Sequence, residues 1–552
     1  MNAPLDAGQR ASLEAALQSV TLDDKYTLER GRAYMSGIQA LVRLPMLQQE
    51  RDRAAGLNTA GFISGYRGSP LGGLDLSLWK AKQHLAAHRI VFQPGLNEDL
   101  AATAVWGTQQ VNLYPGAKHD GVFAMWYGKG PGVDRTGDVF KHANSAGSAP
   151  HGGVLVLAGD DHAAKSSTLA HQSEHVFKAC GLPVLFPSNV QEYLDFGLHG
   201  WAMSRYSGLW VALKCVTDVV ESSASVDIDP HRTQIMLPTD FVMPDGGLNI
   251  RWPDPPLVQE ARLLDYKWYA ALAYVRANKL DRIEIDSPHA RFGIVTGGKA
   301  YLDVRQALVD LGLDDETCAR IGIRLYKVGC VWPLEAQGAQ AFARGLDEIL
   351  VVEEKRQILE YAIKEELYNW PTASARACSA SSTKRTARAA NGRCRWANWL
   401  LPRITSCRPR SSRRRSRRAS TSSSCRPTCA RGSPRASRVI EAKETALAKP
   451  HVSTERKPWF CSGCPHNTST TVPEARARSR HRLPLHDGLD GPQHEHVQPD
   501  GRRRRGVDRP GAVHRREARV REPRRRHLLP LGPPRDSRGD RVEGEHHLQD
   551  PL

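Results

Sequence analysis

The chain has 552 residues, with 77 Lys and Arg against 59 Asp and Glu and a formal charge of +18. No apolar run is long enough to span a bilayer, and the opening MNAPLDAGQR lacks the basic-then-apolar profile of a secretion signal. A soluble, cytoplasmic protein with no membrane partner is expected.

The charge is unevenly spread. Residues 1–370 carry 36 basic and 43 acidic groups, a net of −7, whereas the 182 residues beyond carry 41 and 16, a net of +25. That tail holds 37 Arg but four Lys, one Phe, and no Tyr or Met. So few large apolar groups cannot offset chain entropy, so packed cores are predicted only for the first 370 residues and the C-terminal third is predicted to be largely disordered.

In chain order, apolar runs predict strands at Thr59–Tyr66, Ile90–Gln93, Gly121–Tyr127, Val154–Ala158, Pro183–Phe186 and Leu209–Val216. Helical patterns over Leu74–His88, Glu98–Leu113 and Val190–Ser204 lie between them. This alternation, with near-continuous apolar strands, predicts an α/β domain with a mainly parallel sheet. Residues 217–256 are rich in Pro, Asp and Ser and read as a linker, followed by a helix over Gln259–Ala277. A smaller α/β unit follows, with strands at Arg291–Gly298, Ile321–Val328 and Glu348–Glu354, each followed by a helix. Cys180, Cys215, Cys318 and Cys330 lie far apart and read as buried thiols rather than a disulfide framework.

Several segments carry chemistry. GYRGSPLGG (Gly65–Gly73) joins a strand to a helix, the kind of turn that offers N–H groups to an anion or cofactor at the carboxyl end of a sheet. Glycine-rich turns are common, however, and a tight strand-to-helix turn using Gly and Pro for geometry is the plainer reading. In GLNEDLAATAVWG, Asn97 reads as an N-cap, with Glu98 and Asp99 at the positive end of the helix. Alternatively, Glu98 is a partly buried carboxylate facing a cofactor nitrogen. KGPGVDRTGDVFKHAN (Lys129–Asn144) is either a solvated loop or a receiver of carboxylate or phosphate, with Arg135 suited to bidentate pairing. His162, His171 and His175 lack ligand spacing and read as surface or core residues. In CSGCPHNTST, the Cys461 and Cys464 thiolates are two residues apart, fit to share an iron or zinc ion. A zinc ribbon completed by Cys425 and Cys429 is the local alternative. RRRSRR and RRRR in the tail invite a nucleic-acid reading, but nearly all the positive charge is Arg, without the usual Lys or aromatic interleaving.

GFISGYRGSPLGGLD, FQPGLNEDLAATAVWGTQ, YGKGPGVDRTGDVFKHANSAG, AGDDHAAKSST and RKPWFCSGCPHNTSTTVPE together resemble the indolepyruvate ferredoxin oxidoreductases of the long, fused-subunit bacterial type. These belong to the thiamine-diphosphate-dependent 2-oxoacid:ferredoxin oxidoreductases. The resemblance implies a pyrimidine-binding-type domain over 1–225, a linker and helix over 226–289, and a transketolase C-terminal-like domain over 290–370. It implies oxidative decarboxylation of aryl 2-oxo acids to acyl-CoA, with electrons passed to ferredoxin. The implied cofactors are thiamine diphosphate, Mg²⁺ and a 4Fe-4S cluster, with coenzyme A as co-substrate, in a homo-oligomer when intact. Glu98 matches the activating carboxylate, and Gly65, Ser69 and Pro70 the cofactor-side turn. Ser69 and Arg135 become substrate contacts, and Cys461 and Cys464 match the first two cluster ligands.

Residues 371–552 depart from this pattern, except for the CSGCPH segment at 438–474. The family's diphosphate and Mg²⁺ motif is Gly-Asp-Gly followed by Tyr-Phe-His-Ser-Gly. Here Arg524–Gly532 reads RRRHLLPLG, and GC-rich codons for it, shifted by one base, spell Gly-Asp-Gly-Thr-Tyr-Phe-His-Ser. The Arg-rich tail therefore reads as a frame-shifted message lacking the diphosphate-binding domain, which predicts an inactive chain. The other reading is a non-catalytic α/β scaffold whose basic tail binds nucleic acid non-specifically.

Overall fold

The central strands of the molecule are buried on both faces and largely apolar. All seven residues of Val154–Asp160 and all six of Val211–Val216 are buried, as a parallel sheet covered by helices requires. The computed structural model describes residues 20–164 and 169–368, the short strand Ala377–Ala380, and a few isolated positions, all within one compact unit of the chain. The strands are β1 (Gly31–Ser36), β2 (Thr59–Gly65), β3 (Ile90–Phe92), β4 (Gly121–Lys129), β5 (Val154–Asp160), β6 (Val184–Leu185) and β7 (Val211–Val216). They continue with β8 (Ser223–Ile228), β9 (Arg282–Ile285), β10 (Phe292–Gly297), β11 (Ile323–Val328), β12 (Cys330–Trp332), β13 (Glu348–Val352) and β14 (Ala377–Ala380).

One sheet runs β12-β6-β7-β5-β4-β2-β3, parallel except for β12, which is antiparallel to β6. The second runs β14-β13-β10-β11-β9, parallel except for the edge strand β9. The predicted α/β class, with a larger parallel-sheet unit and a smaller one, is the architecture observed. Every strand and helix predicted in the two units has a counterpart, within a few residues at its ends.

Three features escaped the sequence pattern. The segment expected to be linker contributes β8, which pairs antiparallel with β1 in a two-stranded ribbon. Arg282–Ile285 lies in the second sheet, and Cys330–Trp332 crosses to the edge of the first. All are short or half-exposed, so alternation has too few residues to register. The polar stretch 129–144 is likewise helical rather than a loop, forming Gly130–Arg135 and Gly137–Ala146. Val133, Phe140 and Ala143 place one apolar stripe into the core, and this outweighs the glycines.

The core between sheet and helices is aromatic. Trp126 meets Phe140 edge-on at 5.0 Å between ring centroids, and Phe123 meets Trp201 at 5.3 Å. The helix Gly37–Ala54 starts at a capping box formed by Ser36 and Gln39, and Val190–Ser207 runs from its Asn189 cap to Gly208 in the left-handed region. Among the described residues no helix is long and apolar enough to cross a membrane. Cys180, Cys215, Cys318 and Cys330 are free and buried, as predicted; burial pushes the Cys180 and Cys318 thiols up to about 11, leaving them unreactive.

Candidate functional site

Because β2, β3 and β4 are parallel neighbours, their carboxyl ends open on one edge of the sheet. Gly65 ends β2 opposite Tyr127 of β4, so close that a Cβ would come 2.2 Å from the Tyr127 carbonyl oxygen. Its own carbonyl accepts from Gly95 N–H at 2.8 Å, which draws in the chain after β3. Gly65 is therefore a backbone crossing point. It brings the Ser69 turn, the Glu98 helix and the start of the Gly130 helix to one edge.

The turn after β2 carries Ser69, half-buried, and Pro70, buried, joined by a cis peptide. Pro70 and Leu71 lie against β5, where a Cβ on Gly159 would meet either at 3.1 Å. Behind the turn, the Tyr127 hydroxyl donates to Asp75 at 2.5 Å. Burial, reinforced by the Asp75 carboxylate, drives the phenol far above its ordinary value, and burial also raises the Asp75 carboxyl. This pair was not foreseen from sequence.

Glu98 is the first residue of the helix Glu98–Gln109, and Asn97 caps that helix by accepting from Leu100 N–H at 2.9 Å. The Trp126 indole donates to the Glu98 carbonyl at 2.9 Å. The side chain lies over Gly132, where a Cβ would come 2.5 Å from Glu98 Cγ, so only glycine leaves the carboxylate this position. Among the described residues that half-buried carboxylate has no hydrogen-bond or ion-pair partner. Leu96 and Leu100 on either side of it are 86% and 50% exposed, an apolar rim that a flat ring could cover. Replacing Asn97 with alanine is expected to cost about 1 kcal/mol by loosening this helix start, read as a lower midpoint in thermal melts.

Arg135 reaches the same edge from the Gly130–Arg135 helix, but it is exposed and its Nε donates to Asp99 at 2.5 Å. Any substrate contact would have to compete with that pair. Cys461 and Cys464 lie outside the described residues, as do the basic runs of the tail. Among the described residues no group of three or more His, Cys, Asp or Glu is placed to hold a metal ion.

The description "Indolepyruvate ferredoxin oxidoreductase middle domain" matches residues 281–397. Indolepyruvate oxidoreductase subunit IorA of Methanothermobacter marburgensis is 25% identical over 346 residues, covering 61% of this chain and 49% of its own length. The same subunit of Methanothermobacter thermautotrophicus is 26% identical over 309 residues, covering 56% of this chain and 46% of its own. Residues 281–397 thus match the middle domain of the indolepyruvate ferredoxin oxidoreductases, and the chain is similar to their IorA subunits. It spans about half the length of the curated relatives it matches. Among solved structures, a 2-oxoglutarate:ferredoxin oxidoreductase from Magnetococcus marinus is 14% identical, with a TM-score of 0.49, covering 70% of this chain and 65% of that one. Both of these curated relatives are named as oxidoreductase subunits.

Sequence reading missed a second polar cluster, centred on His162 and Glu354. The only signal was the position of GDDH at the carboxyl end of a predicted strand, and no spacing rule links His162 to a residue 192 positions away.

Proposed function

We propose that residues 1–225 form the pyrimidine-gripping half of a thiamine-diphosphate-dependent 2-oxo acid:ferredoxin oxidoreductase. The observation that carries this reading is Glu98: a half-buried, unpartnered carboxylate at the carboxyl edge of a parallel sheet, seated on Gly132 and rimmed by Leu96 and Leu100. Such a group fits an aminopyrimidine, because a carboxyl beside the ring nitrogen exchanges a proton with it while the apolar rim holds the ring. When bound, thiamine supplies the carbon nucleophile that makes decarboxylation of a 2-oxo acid possible. Glu98 holds the proton at the ring nitrogen, the Ser69–Pro70 turn lies on the substrate side, and Arg135 receives the substrate carboxylate when released by Asp99. Cys461 and Cys464 would be the first two ligands of a 4Fe-4S cluster, which would supply the electron path to ferredoxin, with coenzyme A as the acyl acceptor.

The diphosphate is a different matter. The described residues offer no cluster for Mg²⁺, and a bare diphosphate charge needs such an ion or an equivalent cradle. The tail, where the family's ligands would be sought, carries the Arg-rich composition of a message read out of phase. The polypeptide as written is therefore inactive.

Reduction of ferredoxin by indolepyruvate, with coenzyme A, thiamine diphosphate and Mg²⁺ present, tests both parts. The chain as written is expected to stay at background. A protein from a gene with phase restored beyond Pro371 is expected to turn over, and its Glu98→Gln variant to lose roughly a hundredfold. Turnover by the chain as written removes the inactivity claim. A restored protein indifferent to Glu98→Gln removes the site.

A further inference from the structure

The carboxyl ends of the two parallel sheets meet at a second site, built from residues that the reading of Glu98 does not use. His162, just beyond β5, and Glu354, just beyond β13, are 4% and 9% exposed. Nδ1 of the imidazole is 2.5 Å from Glu354 Oε2, so each sheet contributes one member of a buried pair. Lys299, on the helix that follows β10, lies 3.6 Å from the other oxygen of Glu354. Lys214 of β7 reaches Glu174 at 2.5 Å and Asp160 at 3.5 Å.

His162, Glu174, Lys214, Glu353 and Glu354 line a small cavity closed on its other sides by apolar residues such as Phe186 and Leu359. Its free space admits a guest of about one or two heavy atoms, the size class of a water molecule. Two buried polar atoms of its lining, His162 Nε2 and Glu174 Oε2, have no hydrogen-bond partner. In the neutral imidazole, the carboxylate of Glu354 places the one ring proton on Nδ1 and leaves Nε2 as an acceptor. Glu174 Oε2 is also an acceptor. Both residues line the cavity, and a guest that serves both acceptors brings at least two N–H or O–H donors.

Charge selects among such guests. The carboxylates of Asp160, Glu174 and Glu354 face the ammonium groups of Lys214 and Lys299. Lys355 adds a third cation, but Asp161 and Asp218 add two further carboxylates, so the excess stays negative. Burial pushes Glu353 up to about 7 against the pull of the Ile358, Leu359 and Glu360 N–H groups, so this third carboxyl of the lining also charges near neutrality. A metal ion is disfavoured, since no three ligating side chains converge among the described residues. We infer that this cavity between the sheets binds ammonium, or the head of a very small primary ammonium compound, through His162 Nε2 and Glu174 Oε2. The inference does not depend on thiamine binding at Glu98, and either can fail without the other.

The test uses the full chain at pH 8 and ammonium chloride as the probe, with sodium and potassium chloride at equal ionic strength as controls. Ammonium at tenfold excess over its dissociation constant is expected to raise the thermal midpoint by about 2 °C or more over sodium, with saturation. Glu174→Gln, which turns one acceptor into a donor, is expected to abolish the difference. Since that variant also touches Lys214, imidazole ¹⁵N spectra of the unmutated chain give an independent readout. The Nε2 resonance of His162, assigned by its absence in His162→Leu, is expected to move upfield with ammonium alone. Equal midpoints in all three salts, a potassium effect equal to that of ammonium, or an unmoved Nε2 resonance would each overturn the site.

Discussion

Replacing Lys214 with methionine is expected to destabilise the protein by about 3–5 kcal/mol, because it leaves two carboxylates buried without their cation. Lys214 sits on a central strand and is 1% exposed. Its ammonium group lies 2.5 Å from Glu174, 3.5 Å from Asp160 and 4.7 Å above the ring of Phe186. Burial alone would lower its pKa, yet the combined attraction of Glu174 and Asp160 outweighs burial and holds the group above the ordinary lysine value. Asp160 is held from the other side by the Ser173 N–H at 2.9 Å and the Ser173 hydroxyl at 2.6 Å, so it cannot turn away to water. Denaturant melts at pH 7 check the loss. A double variant, Lys214→Met with Glu174→Met, should recover part of it, since an apolar replacement of both partners leaves only Asp160 charged. A group with a raised folded pKa gives stability below its unfolded value that is lost as pH climbs through the folded one. The alkaline fall in stability above about pH 10.5 should therefore be shallower in Lys214→Met than in the parent. A single-variant cost below about 1 kcal/mol would show that the cluster is wet and screened rather than sealed.

The legible parts of this chain are those where one physical pattern runs long enough to be read. β5 and β7 announce themselves because a doubly covered parallel strand is buried at every position and so almost wholly apolar, with Asp160 and Lys214 the charged exceptions. Glu98 was legible because a cap residue, two acids and an Ala-rich run follow one another directly. The helices over 130–146 were hidden by their glycines, one of which, Gly132, is there to admit the Glu98 side chain rather than to break the helix. β9 and β12 were hidden by brevity: three or four residues decide nothing alone, and their pairing comes from partners 40 to 148 positions away. The His162–Glu354 pair was illegible for the same reason, since sequence records neighbours in the chain and this pair exists only because two sheets end at one seam. The family resemblance singled out Glu98, Ser69 and Arg135 as candidates but gave no hint that Arg135 is held by Asp99.

Asp281→Asn should gain on the parent chain as pH rises, by roughly 2–3 kcal/mol between pH 5 and pH 9. Asp281 precedes β9, and its Oδ1 accepts from Gly329 N–H at 2.8 Å and Cys330 N–H at 2.9 Å, fixing the turn that sends β12 to the other sheet. Its Oδ2 is buried without a hydrogen-bond partner. Burial pushes the carboxyl up to about 7, and the two N–H donors only partly oppose it. Because the folded value lies above the unfolded one, the group stabilises the fold relative to its ionised state at low pH. That contribution drains away between about pH 4 and pH 7, as the unfolded chain, but not the folded one, gives up the proton. Asparagine keeps the oxygen that accepts both N–H groups and never ionises, so its curve lacks this slope. Near pH 5 the two proteins should differ little, or the parent should lead, because a protonated carboxyl and an amide leave similar groups in the same space. Thermal melts of both proteins across this range measure the divergence. Parallel curves would mean that water reaches Oδ2 and that the turn carrying β12 across the seam is open to solvent.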